Sequence, residues 1–201
     1  MKKSFSEDTR LLISILDSFH PLGKEAIGYI DQQLIAKDYP KGSLIVKAGE
    51  PGKSVLFIKK GLLRGYIKAG SRTITTWLGA ENEIVPSTYG LEKNEPSPEN
   101  IEALEDCQCL LLSAASLQKL YKTYPEFNIT GRKIIRHLYK EAEKRAFIVR
   151  NNNAMVKYGF FLHHYPHLAD RAPVKYISSF LGVAFETLSR VRKKNAGPYR
   201  L

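Results

Sequence analysis

The stretch that decides the reading is Ala172-Pro173-Val174-Lys175-Tyr176-Ile177-Ser178-Ser179-Phe180-Leu181-Gly182-Val183-Ala184-Phe185-Glu186-Thr187-Leu188-Ser189-Arg190-Val191-Arg192-Lys193-Lys194. It reads as two helices around a tight turn. Pro173 opens the first, which runs to about Leu181, and Gly182 accepts the left-handed backbone that ends a helix at little cost. The second helix starts near Ala184 and runs to about Lys194. Ile177, Leu181, Val183, Leu188 and Val191 are spaced to bury between the two. Phe185, Glu186, Thr187, Ser189, Arg190, Arg192, Lys193 and Lys194 are the polar, basic and exposed positions of the second helix. An apolar inner face, a glycine turn and a basic outer face are the grammar of a helix-turn-helix.

Those residue types suit a DNA duplex. Glu186 can accept a hydrogen bond from cytosine N4, and Arg190, one turn later, can grip guanine O6 and N7. Phe185 can touch a thymine methyl. Arg192, Lys193 and Lys194 lie where the backbone passes and can neutralise phosphates. A helical hairpin with a solvated basic face is the plainer alternative, and the charge distribution weighs against it. The chain of 201 residues carries a net charge of +11. Residues 1–125 contribute +1 and residues 126–201 contribute +10, which points to a polyanion partner for the C-terminal segment.

Upstream, Ser6 caps a first helix carrying Leu11, Leu12, Ile15, Leu16 and Phe19, and a second runs from Lys24 to about Ile35. From Ile35 to about Leu112 come short β-rich runs: 43–46, 54–58, 62–67, 73–78 and 107–112. Glycines at 42, 49, 52, 61 and 70 punctuate them, which implies an antiparallel barrel or sandwich. A Pro-, Glu- and Asn-rich loop fills Glu81 to Asn100. Helical pattern returns at Ser113. Pro125 opens a long helix to about Arg150, in which Gly131, Ile135, Leu138, Ala142, Arg145 and Val149 follow a 3-4 alternation suited to packing against a second long helix. The same helix lying on the barrel is the other reading. Asn151-Asn152-Asn153 divides the chain into 1–150 and 151–201, and Ala154 to His164 is a further helix.

This order resembles the bacterial transcription factors of the cyclic-AMP receptor protein/Fnr (Crp/Fnr) family. The local matches are Gly42-Ser43-Leu44-Ile45 with Ala48-Gly49-Glu50, Leu56-Phe57-Ile58-Lys59-Lys60-Gly61, and Gly182 through Arg190. The resemblance implies an α+β fold: an N-terminal antiparallel β-roll of the cyclic-nucleotide-binding, jelly-roll type, a long dimerisation helix, and a C-terminal helix-turn-helix domain of winged-helix type. It implies a cytoplasmic, homodimeric regulator that binds double-stranded DNA at a near-palindromic site and works with RNA polymerase. Glu186, Thr187 and Arg190 stand at the family's DNA-reading positions, whereas Phe185 stands where many members have Arg. The long-helix dimer contacts would be Ile135, Leu138, Ala142, Arg145 and Val149.

Nucleotide-binding relatives hold the ribose with a Gly-Glu pair and the phosphate with an Arg-Ser/Thr-Ala triplet. Here Ala80-Glu81-Asn82 and Pro96-Ser97-Pro98 stand nearby instead. From Glu81 to Asp106 there are 8 acidic residues and one basic residue, Lys93. A phosphate would lack its bidentate arginine and meet carboxylates. The roll is therefore expected to bind an unknown effector, less anionic than cyclic AMP, or to bind none and serve as a dimerisation scaffold; Trp77, Glu81, Asn82, Tyr89 and Ser97 would surround an effector's pocket, and no cofactor is expected.

Other chemistries fit poorly. Cys107 and Cys109 alternate along a strand, pointing the same way, and read as small core residues. His163, His164 and His167 do not complete a zinc set. The β region has no histidine, unlike metal-dependent β-roll enzymes, so no catalytic or metal residue is expected. A regulatory module acting through protein contacts, without sequence-specific DNA binding, is the alternative function. The N-terminus shows no secretion signal and no apolar run spans a bilayer.

Overall fold

The computed structural model describes residues 5–86 and 95–195. Two helices, α1 (Glu7–Phe19) and α2 (Lys24–Gln33), precede eight strands: β1 (Ile35–Tyr39), β2 (Leu44–Val46), β3 (Ser54–Lys60), β4 (Leu63–Ala69), β5 (Arg72–Gly79), β6 (Ile84–Pro86), β7 (Asn100–Ala103) and β8 (Cys107–Ser113). Five helices follow: α3 (Ala114–Thr123), α4 (Pro125–Arg150), α5 (Ala154–His164), α6 (Val174–Leu181) and α7 (Phe185–Asn195), with a short 3-10 turn at Pro166–Leu168.

The strands form two four-stranded antiparallel sheets, β1-β8-β3-β6 and β2-β7-β4-β5. Their inner faces enclose one core. Leu56 and Ile58 of β3 meet Leu63, Ile101 and Ala103 across it, following the two-residue side-chain period. Cys107 and Cys109 belong to this same core, and burial pushes the Cys109 thiol up to about 12. Phe57 and Leu110 point the other way, into a second core with Leu12, Leu16, Ile30, Leu120 and Phe127 from the helices.

Helix ends follow local chemistry. The Ser6 hydroxyl accepts from Thr9 N, and the Asn153 amide oxygen accepts from Met155 N and Val156 N. Pro125 occupies the first turn of α4. The glutamate- and proline-rich stretch after Glu81 contains β6 and leads into β7. Neither strand stands out in the sequence, because both are short and flanked by polar residues.

A third core joins the C-terminal helices to the roll. Phe161, Ile177, Leu181 and Leu188 cluster with Ile148 of α4 and with Leu62, Leu78, Ala80 and Leu104 of the β region. Strand β5 is a sheet edge, and α6 lies along it. The Thr75 amide donates to the Ser179 hydroxyl at 2.9 Å, and that hydroxyl donates to the Thr73 carbonyl at 3.3 Å. Covering an edge strand with a helix satisfies groups that would otherwise face solvent.

Candidate nucleic-acid interface

The turn between α6 and α7 is built on Gly182, whose φ of 60° lies in the left-handed region. Val183 N closes it on the Ser178 carbonyl at 2.9 Å. Lys157, buried on α5, donates to the Leu181 carbonyl at 2.9 Å and satisfies the end of α6. Leu188 and Val191 then anchor α7 to the core. With that face fixed inward, Phe185, Glu186, Arg190, Lys193 and Lys194 are all exposed. Thr187, Ser189 and Arg192 are half-buried flanks, and Arg192 lies 3.8 Å from Asp170. The arginine side chain lies close to its own helix, Arg190 Nε donating to the Glu186 carbonyl at 3.4 Å. A carboxylate, a guanidinium and two ammonium groups thus share one solvent-facing side of one helix.

The long helix presents a different stripe from the expected one. Ile135 (62% exposed), Tyr139 (64%) and Val149 (48%) face solvent, together with Ala142 and Ala146. That is a 4-3-4-3 spacing. Leu138 and Arg145 instead turn toward the body and line a cavity between α4, the roll and the C-terminal helices. Tyr139 and Ala146 are thus more exposed than Leu138 and Arg145, because α4 also packs on α1 and α5.

Of the five residues expected around an effector, the four that are described do not form one pocket. Ser97 is buried within its own turn, its hydroxyl bonded to the Glu99 carbonyl and amide at 2.9 and 3.1 Å. Trp77 donates to the Glu99 carboxylate at 3.0 Å, and its ring lies so close to Gly65 that a β-carbon there would clash with Nε1. Glu81 and Asn82 lie at the other side of the roll, facing the C-terminal helices. Tyr89 lies outside the described residues.

Glu81 belongs to a clasp that sequence reading missed. Arg171 donates to both Glu81 oxygens at 2.7 and 2.9 Å and to the Glu105 carboxylate at 2.7 and 3.2 Å. Glu81 also accepts from Gly61 N at 2.8 Å. The Arg171 hydrogen bonds hold the Glu81 carboxyl down at about 2. Nearby, Arg64 is only 3% exposed. It pairs with Glu102 at 3.5 Å, bonds Thr73 and Thr75 hydroxyls at 3.1 and 2.9 Å, and stacks 3.9 Å over the Tyr176 ring of α6. Only the isolated charge between hydrophobic Leu63 and Gly65 hinted at Arg64; nothing local marked Arg171.

Residues 36–124 match the family model of the cyclic nucleotide-binding domain. No curated protein matches the chain significantly. Among solved structures, FixK2 from Bradyrhizobium japonicum is similar at 20% identity and a TM-score of 0.68, covering 81% of this chain and 84% of that one. The c-di-GMP-responsive global regulator CLP of Xanthomonas campestris aligns at 16% identity and TM-score 0.66, over 86% of this chain and 91% of its own. A protein described as a transcriptional regulator of the Crp/Fnr family, from Eubacterium rectale, aligns at 17% identity and TM-score 0.69, over 87% and 83%. These neighbours establish the fold: a cyclic-nucleotide-binding type roll followed by helices, as in Crp/Fnr regulators. Among the described residues no helix is long and apolar enough to cross a membrane.

Proposed function

We propose that this chain, which has the fold of the Crp/Fnr transcription regulators, is a homodimeric, sequence-specific DNA-binding regulator. The observation that carries the reading is the exposure of Glu186, Arg190, Lys193 and Lys194 on one face of α7 while Leu188 and Val191 bury the other. Residues 151–201 form the DNA-reading unit, and Glu186 and Arg190 meet base edges while the lysines meet phosphates. Two copies associate through the apolar stripe of α4, and the dimer works with RNA polymerase in the cytoplasm.

The effector of the roll is not cyclic AMP. The Glu99 carboxylate, not an arginine, approaches Trp77 and Thr76, and Arg64 is already committed to Glu102 and two threonines. A phosphate there would find a carboxylate in place of a guanidinium.

Selection of bound duplexes from a random pool tests the function. A two-fold-symmetric consensus with half-sites about 34 Å apart is expected. Absence of any enriched sequence sinks the reading in favour of a module acting through protein contacts.

A further inference from the structure

A cavity of about 250 Å³ lies where five elements meet: α1, the β5–β6 turn, α4, the segment after α5, and α6. It is smaller than the roughly 300–1,000 Å³ of drug-sized sites, so it suits a small molecule. One wall is apolar, formed by Phe19, Leu78, Ile134, Leu138 and Phe180. The same lining carries Arg145 and Glu141, one to three turns further along the α4 face that holds Ile134 and Leu138, with Glu83 and Tyr165 beside them.

The polar groups differ in how far they are satisfied. Glu141 is occupied, accepting from Lys144 at 2.6 Å and from the Tyr165 hydroxyl at 3.4 Å. Glu83 accepts from Ala80 N at 3.2 Å, and the low-dielectric walls raise its carboxyl to about 7. His164 and His167 are shifted toward their neutral forms by burial. Arg145 is half-buried on α4 and has no hydrogen bond or ion pair with another described residue. A guanidinium keeps its charge at all relevant pH values and presents a fork that fits a carboxylate. It therefore lines the cavity with its hydrogen-bonding fork unused, although the Glu83 carboxyl and Tyr165 hydroxyl lie within its electrostatic reach.

We propose that this cavity binds a small monocarboxylate with an apolar body, its carboxylate on the Arg145 guanidinium and its body against Phe19, Leu78 and Phe180. The site is separate from the interior of the roll around Trp77, Ser97 and Glu99. Its walls come from the roll, the long helix and the C-terminal helices together. A molecule seated there favours whichever arrangement of the three closes around it.

The test is calorimetry on the full chain with benzoate, hexanoate and the neutral analogue benzamide. Saturable binding of at least one acid, little or none of the amide, and weakening of the acid by about tenfold or more in Arg145→Gln are expected, from loss of the charge-assisted bidentate pair. Arg145→Lys keeps the charge without the fork and should fall between. A second readout needs no variant: the guanidinium nitrogen resonance of Arg145 in the wild-type chain should shift on adding benzoate. Failure of both acids to saturate by about 10 mM, equal binding of benzamide, undiminished binding in Arg145→Gln, or an unmoved Arg145 resonance would each overturn the proposal. None of these readouts involves DNA, so this site and the DNA-binding function stand or fall separately.

Discussion

The Ser179 hydroxyl accepts the Thr75 amide at 2.9 Å across the junction between α6 and the outer strand of the roll. Thr75 is buried, and β5 has no further strand beside it. Ser179→Ala leaves that amide without its partner. A loss of about 1–3 kcal/mol in stability is expected, read by denaturant unfolding, together with faster hydrogen exchange at Thr75. Exchange at Thr75 as slow as in the wild type would show that the edge is sealed by other means.

The Arg171 clasp makes stability depend on acid. The folded-state Glu81 carboxyl sits near 2 against an ordinary value of 4.5. A depressed carboxyl contributes stability that is fully present above its unfolded value and is lost as pH falls through its folded one. The pairing groups are about one-third exposed, so screening trims the effect to about 1–2 kcal/mol at neutral pH. Arg171→Ala should lower the melting temperature at pH 7, and the gap from wild type should shrink as pH is taken from 4.5 toward 2. A gap independent of pH would assign the loss to packing.

Tyr139 and Ala146 are exposed on α4, whereas Leu138 and Arg145 face the body. A charge in the exposed stripe should disrupt association while sparing the fold. Tyr139→Glu and Ala146→Glu together should convert a dimer to a monomer in sedimentation, with unchanged helical content. A dimer surviving both would place the interface elsewhere.

Arg190 and Lys194 should fail in different ways. Arg190→Ala is expected to cost about 1–3 kcal/mol and to relax preference at one base pair. Lys194→Ala should weaken all sequences alike and reduce the salt slope by about one ion. Binding unchanged in both variants would remove α7 from the interface.

Cyclic AMP should give no saturable heat with the full chain up to millimolar concentration, because Glu99 stands beside Trp77. A micromolar dissociation constant would reverse the reading of Ser97 and its surroundings.

Much of this architecture is legible in the sequence because it depends on local chemistry. Pro125 and the run to Arg150 specify α4, and Gly182 between two apolar faces specifies the turn before α7. Strands β6 and β7 are hidden because pairing with β3 and β4, not their own composition, makes them strands. The α4 seam is ambiguous for a related reason. Leu138 and Tyr139 both continue an apolar pattern, and only packing on α1 and the C-terminal helices decides which is covered. Arg171 is invisible in advance, since its partners Glu81 and Glu105 lie 90 and 66 residues away.

The C-terminal helices borrow part of their floor. Leu62, Leu78, Ala80 and Leu104 come from the β region, yet they complete the cluster around Phe161, Ile177 and Leu188. Helices α5, α6 and α7 are consequently not an interchangeable cassette. Transplanted onto an unrelated sensor, they would arrive with a bare hydrophobic underside, and a working chimera must supply matching side chains at all four positions.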